Sequence, residues 1–210
     1  MNKTGRIITK YCTIATCCVS VVFILIVLLY NIISSGDSKD IGAKSIYKCD
    51  YIIFALKTNI KIYNPEDTLL YSIEGKTFTF DSNPLTLYDE KQNHTKIMYV
   101  EDEDEDSHSI QSFLSKESLC EMKVNNNFSG DSFELYKNGT YIGKASFNFL
   151  STYGEFKTDK GDLIADFTRG HFSKDYTVQI RENNVLSDEV LLMIYGSYAA
   201  NYLNDEDSDD

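Results

Sequence analysis

The chain is poor in the residues that metal and nucleotide chemistry require. It has three histidines, and no Cys-x-x-Cys pair occurs after its first 35 residues, so a zinc site of standard spacing is not expected. The Gly-x-Ser-x-Gly sequence of serine hydrolases and the glycine-rich loops that bind phosphate are also missing. Because the sequence contains none of these catalytic motifs, a hydrolase of unrecognised type is the least favoured interpretation.

Basic residues are scarce as well. The chain holds 20 lysines and arginines against 32 acidic residues, for a net charge of −12. Three of the 20 basic residues precede Gly36 and no acidic residue does, which leaves 17 bases against all 32 acids in the remainder. A surface with that excess of negative charge repels a phosphate backbone, so no nucleic-acid partner is expected.

One stretch has no charge at all. Residues 11–35 are predominantly apolar, and roughly 20 such residues in a helix cross the hydrocarbon core of a bilayer. The run is longer than the about 7–15 apolar residues of a secretion signal. We therefore expect a tail at 1–10 and a single transmembrane anchor at 11–35, with a signal peptide cleaved near Ser34 and Gly36 as the alternative.

The charges that flank the anchor favour a cytoplasmic N-terminus and a domain on the outer side, because Lys3, Arg6 and Lys10 precede the apolar run. Three cysteines in the first half of the anchor are candidates for palmitoylation or are simple lipid-facing side chains: Cys12, Cys17 and Cys18.

An outer location would allow two further modifications. Three asparagines lie in Asn-x-Ser/Thr sequences and are candidate N-glycosylation sites: Asn93, Asn127 and Asn138. Cys49 and Cys120 would be able to form a disulfide, and two buried free thiols are the alternative.

Beyond a polar linker at 36–44, the chain alternates between apolar and polar residues. Tyr176, Val178 and Ile180 share one face of a predicted strand, and the polar residues between them share the other. The Asn-Gly pair at 138–139 supplies the backbone angles of a tight hairpin turn. Similar alternation predicts further strands at Asn59–Tyr63, Leu69–Ile73, Thr77–Phe80, Leu85–Tyr88, Lys96–Val100, Ser132–Tyr136 and Tyr141–Phe147.

The segment from Ser187 to Leu203 differs from the rest, because it is apolar on nearly every side of a helix from Val190 onward. Ser187 is a good N-cap, and the two acids after it suit the positive end of the helix dipole. A helix that is apolar all round is buried all round. We expect it to lie inside the sheet that the hairpins form.

Hairpins that carry an aromatic residue before an Asp/Asn turn, followed by a buried apolar helix, resemble the tubby-like superfamily. This group includes the tubby C-terminal domain, the phospholipid scramblases and the LURP-one-related proteins. The resemblance is carried by Asn59–Lys76, Leu85–Val100 and Phe156–Leu203, within a domain at 45–203. It implies a mainly β fold, a closed antiparallel barrel of about 12 strands around the C-terminal helix.

The resemblance also implies roles at membranes, such as phosphoinositide binding and calcium-dependent lipid scrambling. We expect a non-catalytic, single-pass membrane-anchored domain that binds a protein or lipid partner at the membrane surface. A scramblase-like lipid-handling protein, modulated by calcium, is the alternative. No cofactor is expected.

Two acidic runs bear on that alternative. The first offers carboxylates that suit calcium, at Glu101, Asp102, Asp104 and Asp106. It lacks the turn glycine of an EF-hand loop, and we interpret it as a solvated hairpin tip because like charges repel. The second, at 204–210, is expected to be a disordered tail.

Overall fold

The described part of the chain forms a sheet and one helix. A computed structural model describes residues 42–54, 57–76, 85–91, 97–101, 107–127, 130–148, 151–170 and 175–202. The chain divides into two units, Met1–Asp37 and Ser38–Asp210, and every described residue belongs to the second.

Twelve strands and one helix succeed one another along the described residues. They are β1 (Ala43–Phe54), β2 (Lys57–Tyr63), β3 (Leu69–Lys76), β4 (Leu85–Asp89), β5 (Ile97–Glu101), β6 (Ser107–Ser112), β7 (Ser118–Asn127), β8 (Gly130–Lys137), β9 (Thr140–Phe147), β10 (Tyr153–Thr158), β11 (Leu163–Arg169), β12 (Tyr176–Arg181) and α1 (Asp188–Tyr202).

Each strand pairs antiparallel with the strands before and after it in the chain. β1 pairs with β2 on one side and with β12 on the other, so the strand order is that of a closed barrel. The β4–β5 ladder is the shortest, with Leu85 opposite Tyr99 and Thr86 opposite Met98. The prediction of a mainly β protein with an antiparallel sheet and one C-terminal helix is confirmed.

The predicted strands fall within observed ones, with two exceptions. Thr77–Phe80 lies outside the described residues, and so does Lys96, the first residue of the strand predicted at Lys96–Val100. The Asn-Gly turn is also confirmed, with positive φ at Asn138 and Gly139 between paired Lys137 and Thr140. β1 begins at Ala43, two residues inside the segment expected to be linker.

α1 begins where its sequence predicts. The backbone N–H of Val190 donates to Ser187 Oγ at 3.4 Å, and the N–H of Leu191 donates to the carbonyl oxygen of Ser187 at 3.1 Å. Asp188 and Glu189 occupy the first turn, where negative charge is favoured by the helix dipole. Every residue of α1 from Val190 to Ala200 is buried.

Strands at different positions around the sheet contact α1. Gly196 approaches Ile73 of β3, Tyr198 stacks on Phe147 of β9 with ring centroids 3.6 Å apart, and Tyr195 packs against Tyr176 of β12 at 4.6 Å. The helix therefore occupies the interior that the strands surround. Full burial of one large apolar side chain contributes about 1.5–3 kcal/mol, so this helix is a main source of the stability of the fold.

A buried hydrogen bond fixes the C-terminal half of α1. Ser151 Oγ lies 2.6 Å from Tyr198 Oη, and the Tyr176 hydroxyl donates to the Ser151 carbonyl oxygen at 3.3 Å. Ser151 holds a positive φ of 52°. The β9–β10 connection is thus joined to both the helix and β12.

Gly154 tests this packing, because an added Cβ would lie 2.5 Å from Cδ1 of Phe147, whose ring is held by the stack on Tyr198. We expect Gly154→Ala to lower the free energy of unfolding by about 2–3 kcal/mol, as overpacked cores do. Urea denaturation of the full chain in detergent, followed by circular dichroism, measures the loss.

Gly161→Ala is the matched control, since nothing lies within 4 Å of its added Cβ and only the φ of +88° opposes a side chain. It should cost about 1 kcal/mol. Equal losses for the two variants would contradict the packing of Phe147 against α1.

Candidate binding surface

The outer face of β7, β8 and β9 carries a group of aromatic and charged side chains, of which Lys123 and Tyr141 are exposed and the others half-buried. Tyr136 lies opposite Tyr141 across the β8–β9 hairpin, and Lys123 lies opposite Glu134, which in turn lies opposite Lys144. Alternation puts Lys123, Glu134, Tyr136 and Lys144 on the side of the sheet that faces away from α1. A β-bulge in the β8–β9 ladder, where the register shifts between Leu135 and Tyr136, brings Tyr141 to the same side. We call these five residues the tyrosine–lysine patch.

The side chains of the patch contact one another directly. The rings of Tyr136 and Tyr141 meet edge to face with centroids 5.6 Å apart, and Lys123 Nζ lies 4.9 Å from the centroid of the Tyr136 ring. The Tyr136 hydroxyl donates to Glu134 Oε2 at 2.9 Å. That hydrogen bond is the main reason why the pKa of Tyr136 is raised.

The patch leaves apolar surface and positive charge open to solvent. Tyr141 is 41% exposed and Lys123 is exposed. Lys144 lies directly opposite Lys157 of β10, where like charges disfavour the pairing. Lys157 forms an ion pair with Glu155, whereas the described residues provide no ion pair for Lys144.

A second polar group on the outer face has partners of its own. Asp166 is 2% exposed and accepts a hydrogen bond from Arg181 Nη1 at 2.7 Å. Nearby, the Tyr153 hydroxyl donates to Glu155 Oε2 at 3.4 Å. Burial is the main cause that raises the pKa of Tyr153 to about 12. These contacts join β10, β11 and β12 and act in stability.

At the end of the barrel where β1 starts, two side chains of β1 contact the first residue of α1. The Tyr47 hydroxyl donates to Asp188 Oδ2 at 2.8 Å, and Lys44 Nζ lies 3.8 Å from Asp188 Oδ1. Burial, with the Asp188 hydrogen bond second, raises the pKa of Tyr47. These contacts hold the N-terminus of α1 in place.

The structure contradicts the disulfide predicted between Cys49 and Cys120, because both cysteines are free and buried. Cys49 lies on β1 and Cys120 on β7, six strand positions apart in either direction around the sheet. Disulfide geometry needs Cα atoms within about 7 Å of each other, and α1 fills the space between these two strands. The alternative, two buried thiols, is the observed state.

The remaining predicted sites have different positions. Asn138 is exposed at the β8–β9 turn, and its glycosylation stays a prediction. The Asn127 side chain and Asn93 lie outside the described residues, as do the Glu101 side chain and the other proposed calcium ligands, Asp102, Asp104 and Asp106. Within the described ranges no three His, Cys, Asp or Glu side chains form a group suited to a metal ion.

The anchor predicted at 11–35, with Cys12, Cys17 and Cys18, also lies outside the described residues. Among the residues that are described, no helix has the length and apolar character needed to cross a membrane.

Sequence reasoning missed the patch, although the signal was present. A two-residue Asn-Gly turn fixes the register of its hairpin, and that register places Tyr136 opposite Tyr141. The outward position of the two rings depends on which face of β8 meets the helix, and alternation does not decide this when both faces carry aromatic residues.

Comparisons with known proteins address the fold. No protein-family model matches the chain, and no curated protein matches it. Among solved structures, the X-ray structure of protein AT5G01750 from Arabidopsis thaliana is similar, with a TM-score of 0.53 and 11% sequence identity. The match covers 78% of this chain and 94% of that one. That protein has the tubby-like fold of the LURP-one-related family, so the chain shares its fold.

The two buried thiols predict a pH dependence of stability. Burial raises the pKa of Cys120 to about 12 and raises the pKa of Cys49. An unfolded thiol ionises near pH 8.5, so above that pH the folded state holds protons that the unfolded state has lost. The free energy of unfolding should fall by up to about 1.4 kcal/mol per pH unit for each thiol.

Cys120→Ala should reduce that slope between about pH 9 and 10, below the usual ionisation of tyrosine. Ser132→Ala removes a buried hydroxyl that does not titrate in this range. It should lower the free energy of unfolding by the same amount at every pH and leave the slope with pH unchanged. Urea denaturation at each pH measures both. An unchanged slope in Cys120→Ala would contradict the raised thiol pKa.

Proposed function

We propose that this protein is a non-catalytic, single-pass membrane-anchored domain that binds a partner protein at the membrane surface through the tyrosine–lysine patch. Its N-terminus is cytoplasmic and its domain lies on the outer side. The charge-free run at 11–35 supports the anchor, and the basic residues before that run support the orientation.

The observation that carries the proposal is the burial of α1 together with the exposure of the patch. Leu191, Leu192, Met193 and Ile194 are all 0% exposed, so the interior that a hollow barrel would offer to a small molecule is filled by the helix. The groups that remain free to bind are on the outside, and Tyr141 is prominent among them.

Burial also argues against thiol catalysis. The thiolate is the nucleophilic form of cysteine, and desolvation keeps both Cys49 and Cys120 protonated at neutral pH. In a protein that only binds a partner, the thiols of Cys49 and Cys120 need only pack in the core.

The chemistry of the patch defines its partner. Tyrosine rings contribute large contact areas at interfaces at little cost in side-chain entropy. Lys123 and Lys144 provide positive charges that suit carboxylates on the facing surface. Screening limits such attraction to about 10 Å, so these lysines act locally in spite of the net negative charge of the chain.

Crosslinking from the patch tests this proposal. With a photoreactive residue at position 141 of the full chain in its native membrane, we expect one discrete crosslinked product. Lys123→Glu should reduce its yield about tenfold, a change of about 1.4 kcal/mol in binding. Lys160→Glu, the same charge change at the exposed β10–β11 turn, should leave the yield unchanged.

Two results would refute the proposal. The first is a crosslink that Lys123→Glu and Lys160→Glu affect equally. The second is release of the full chain from membranes by alkaline carbonate, which an integral anchor resists.

The tubby-like fold and the acidic run that begins at Glu101 favour the second candidate, a scramblase-like protein modulated by calcium. Lipid movement between leaflets of reconstituted vesicles, measured with and without calcium, separates the two. We expect no movement above that of empty vesicles, and calcium-dependent movement would favour the second candidate.

A further inference from the structure

The β8–β9 turn carries a glycosylation acceptor in an open position. Asn138, Gly139 and Thr140 form an Asn-x-Thr sequence, and every residue from Lys137 to Tyr141 is exposed. Asn138 and Gly139 hold positive φ values of 52° and 71°, and an atom at the Cβ position of Gly139 would meet nothing within 4 Å. Asparagine is among the residues that tolerate this backbone conformation. The acceptor is therefore part of a formed turn that stands out from the sheet.

The acceptor lies beside the aromatic rings of the tyrosine–lysine patch. Tyr136 comes two residues before Asn138, and Tyr141 comes three residues after it. The side chain of Lys137 takes the other direction, because its Nζ donates at 3.4 Å to the carbonyl oxygen of Val185, which packs against the core. Side chains alternate along β8, so the acceptor amide is on the outer side with Tyr136. Two residues of extended strand span about 7 Å, and an asparagine side chain with one attached sugar ring is long enough to reach back over that distance.

The two rings suit a sugar. A pyranose such as N-acetylglucosamine has a face of C–H groups whose hydrogens carry slight positive charge, and the face of an aromatic ring is negative. Tyr141 is one of two large apolar side chains that are exposed in the described ranges. Tyr136 is already held by its edge-to-face contact with Tyr141 and by its hydrogen bond to Glu134. A sugar on Asn138 would thus cover apolar surface that is ordered in advance.

This arrangement is particular to one of the three predicted acceptors. Asn138 follows a tyrosine by two positions. Lys91 stands at that position before Asn93, and Asn125 stands there before Asn127. The sequence around Asn138 therefore supplies an aromatic platform that the sequences around the other two do not.

We propose that Asn138 carries an N-linked glycan whose first N-acetylglucosamine packs on Tyr136 and Tyr141, so that the glycan stabilises the hairpin and closes the tyrosine–lysine patch to its partner. The closing of the patch rests on the proposed function, since that function assigns the partner to the patch. The glycan itself requires only that the domain cross the membrane, which the charge-free run provides as an anchor and equally as a cleaved signal. Partner binding is then confined to chains that lack the modification.

The modification is a group transfer from an oligosaccharide linked to a polyprenyl diphosphate. The bond between the sugar C1 and the diphosphate oxygen breaks, and a bond forms between C1 and Asn138 Nδ2. The amide nitrogen loses one proton, and the polyprenyl diphosphate leaves with the bonding electron pair. The transferase recognises a hydroxyl two residues after the asparagine, which Thr140 supplies.

Two substitutions at Thr140 test whether the glycan is present. Thr140→Ala removes the recognised hydroxyl and Thr140→Ser keeps it, and both change an exposed side chain outside the patch. The full chain is expressed in a host that performs N-glycosylation, and its glycans are counted by electrophoresis before and after peptide N-glycosidase. We expect the native chain and Thr140→Ser to carry one glycan more than Thr140→Ala. Equal numbers in all three would overturn the inference.

Protease treatment of sealed microsomes separates this failure from failure of the proposed function. If added protease digests the domain, the domain is on the cytoplasmic side, and the proposed orientation and the glycan are both refuted. If the domain is protected and Asn138 bears no glycan, the glycan is wrong and the orientation stands.

Tyr141→Ala tests whether the sugar packs on the ring. In the glycosylating host, Thr140→Ala should lower the Tm of the full chain in detergent by about 3 °C when Tyr141 is present, and by about 1 °C or less when Tyr141→Ala accompanies it. The same four chains from a host without N-glycosylation are the control, and there the two shifts should be equal. Equal shifts in the glycosylating host as well would refute the packing of the sugar on Tyr141.

Crosslinking measures the closing of the patch. With the photoreactive residue at position 141, Thr140→Ala should raise the yield of the partner crosslink severalfold over Thr140→Ser. Equal yields, with the glycan present on Thr140→Ser, would show that the patch stays open and would refute its regulation. Absence of a crosslink in both variants would refute the proposed function and, with it, the closing of the patch, while the glycan count and the Tm shifts still decide the glycan.

Discussion

The burial of an uncharged helix inside a ring of strands is the constraint on which the structure depends. Leu191, Leu192, Met193 and Ile194 follow one another along α1 and point in four directions, yet none is exposed. Antiparallel strands on every side supply the apolar surface that such a helix requires. The strands in turn need the helix, because a ring of this many strands without a central element would leave a cavity lined by Ile60, Ile73 and Phe156, each buried at 0%.

Once the interior is filled, the outer surface and the two ends are left for interaction. The outer face divides into a group whose charges are paired, around Asp166 and Arg181, and the tyrosine–lysine patch, where Lys144 faces another lysine across β9–β10. The end where the chain enters the barrel carries the exposed Leu114 side chain and the contacts of Asp188.

Much of this fold was predictable because its periodicity is simple. Alternation along β12 and the Asn138-Gly139 turn give strands and a hairpin, and an apolar segment with Ser187 as its N-cap gives a buried helix. Whether Cys49 and Cys120 form a disulfide was not predictable, since it depends on how many strands lie between β1 and β7. The burial of Asp166 on the outer face also escapes prediction, because it arises from neighbours such as Arg181 that meet it only when the strands align.

Charged substitutions at the four consecutive positions of α1 test the central claim most directly. Each of Leu191→Asp, Leu192→Asp, Met193→Asp and Ile194→Asp places a carboxylate on a different side of the helix, about 100° from the last. If strands surround the helix, every substitution buries an unpaired charge, and amide hydrogen exchange of the strands in the full chain should lose its protection in all four variants. Native protection in any one of them would show that α1 has a free side, and would contradict the account.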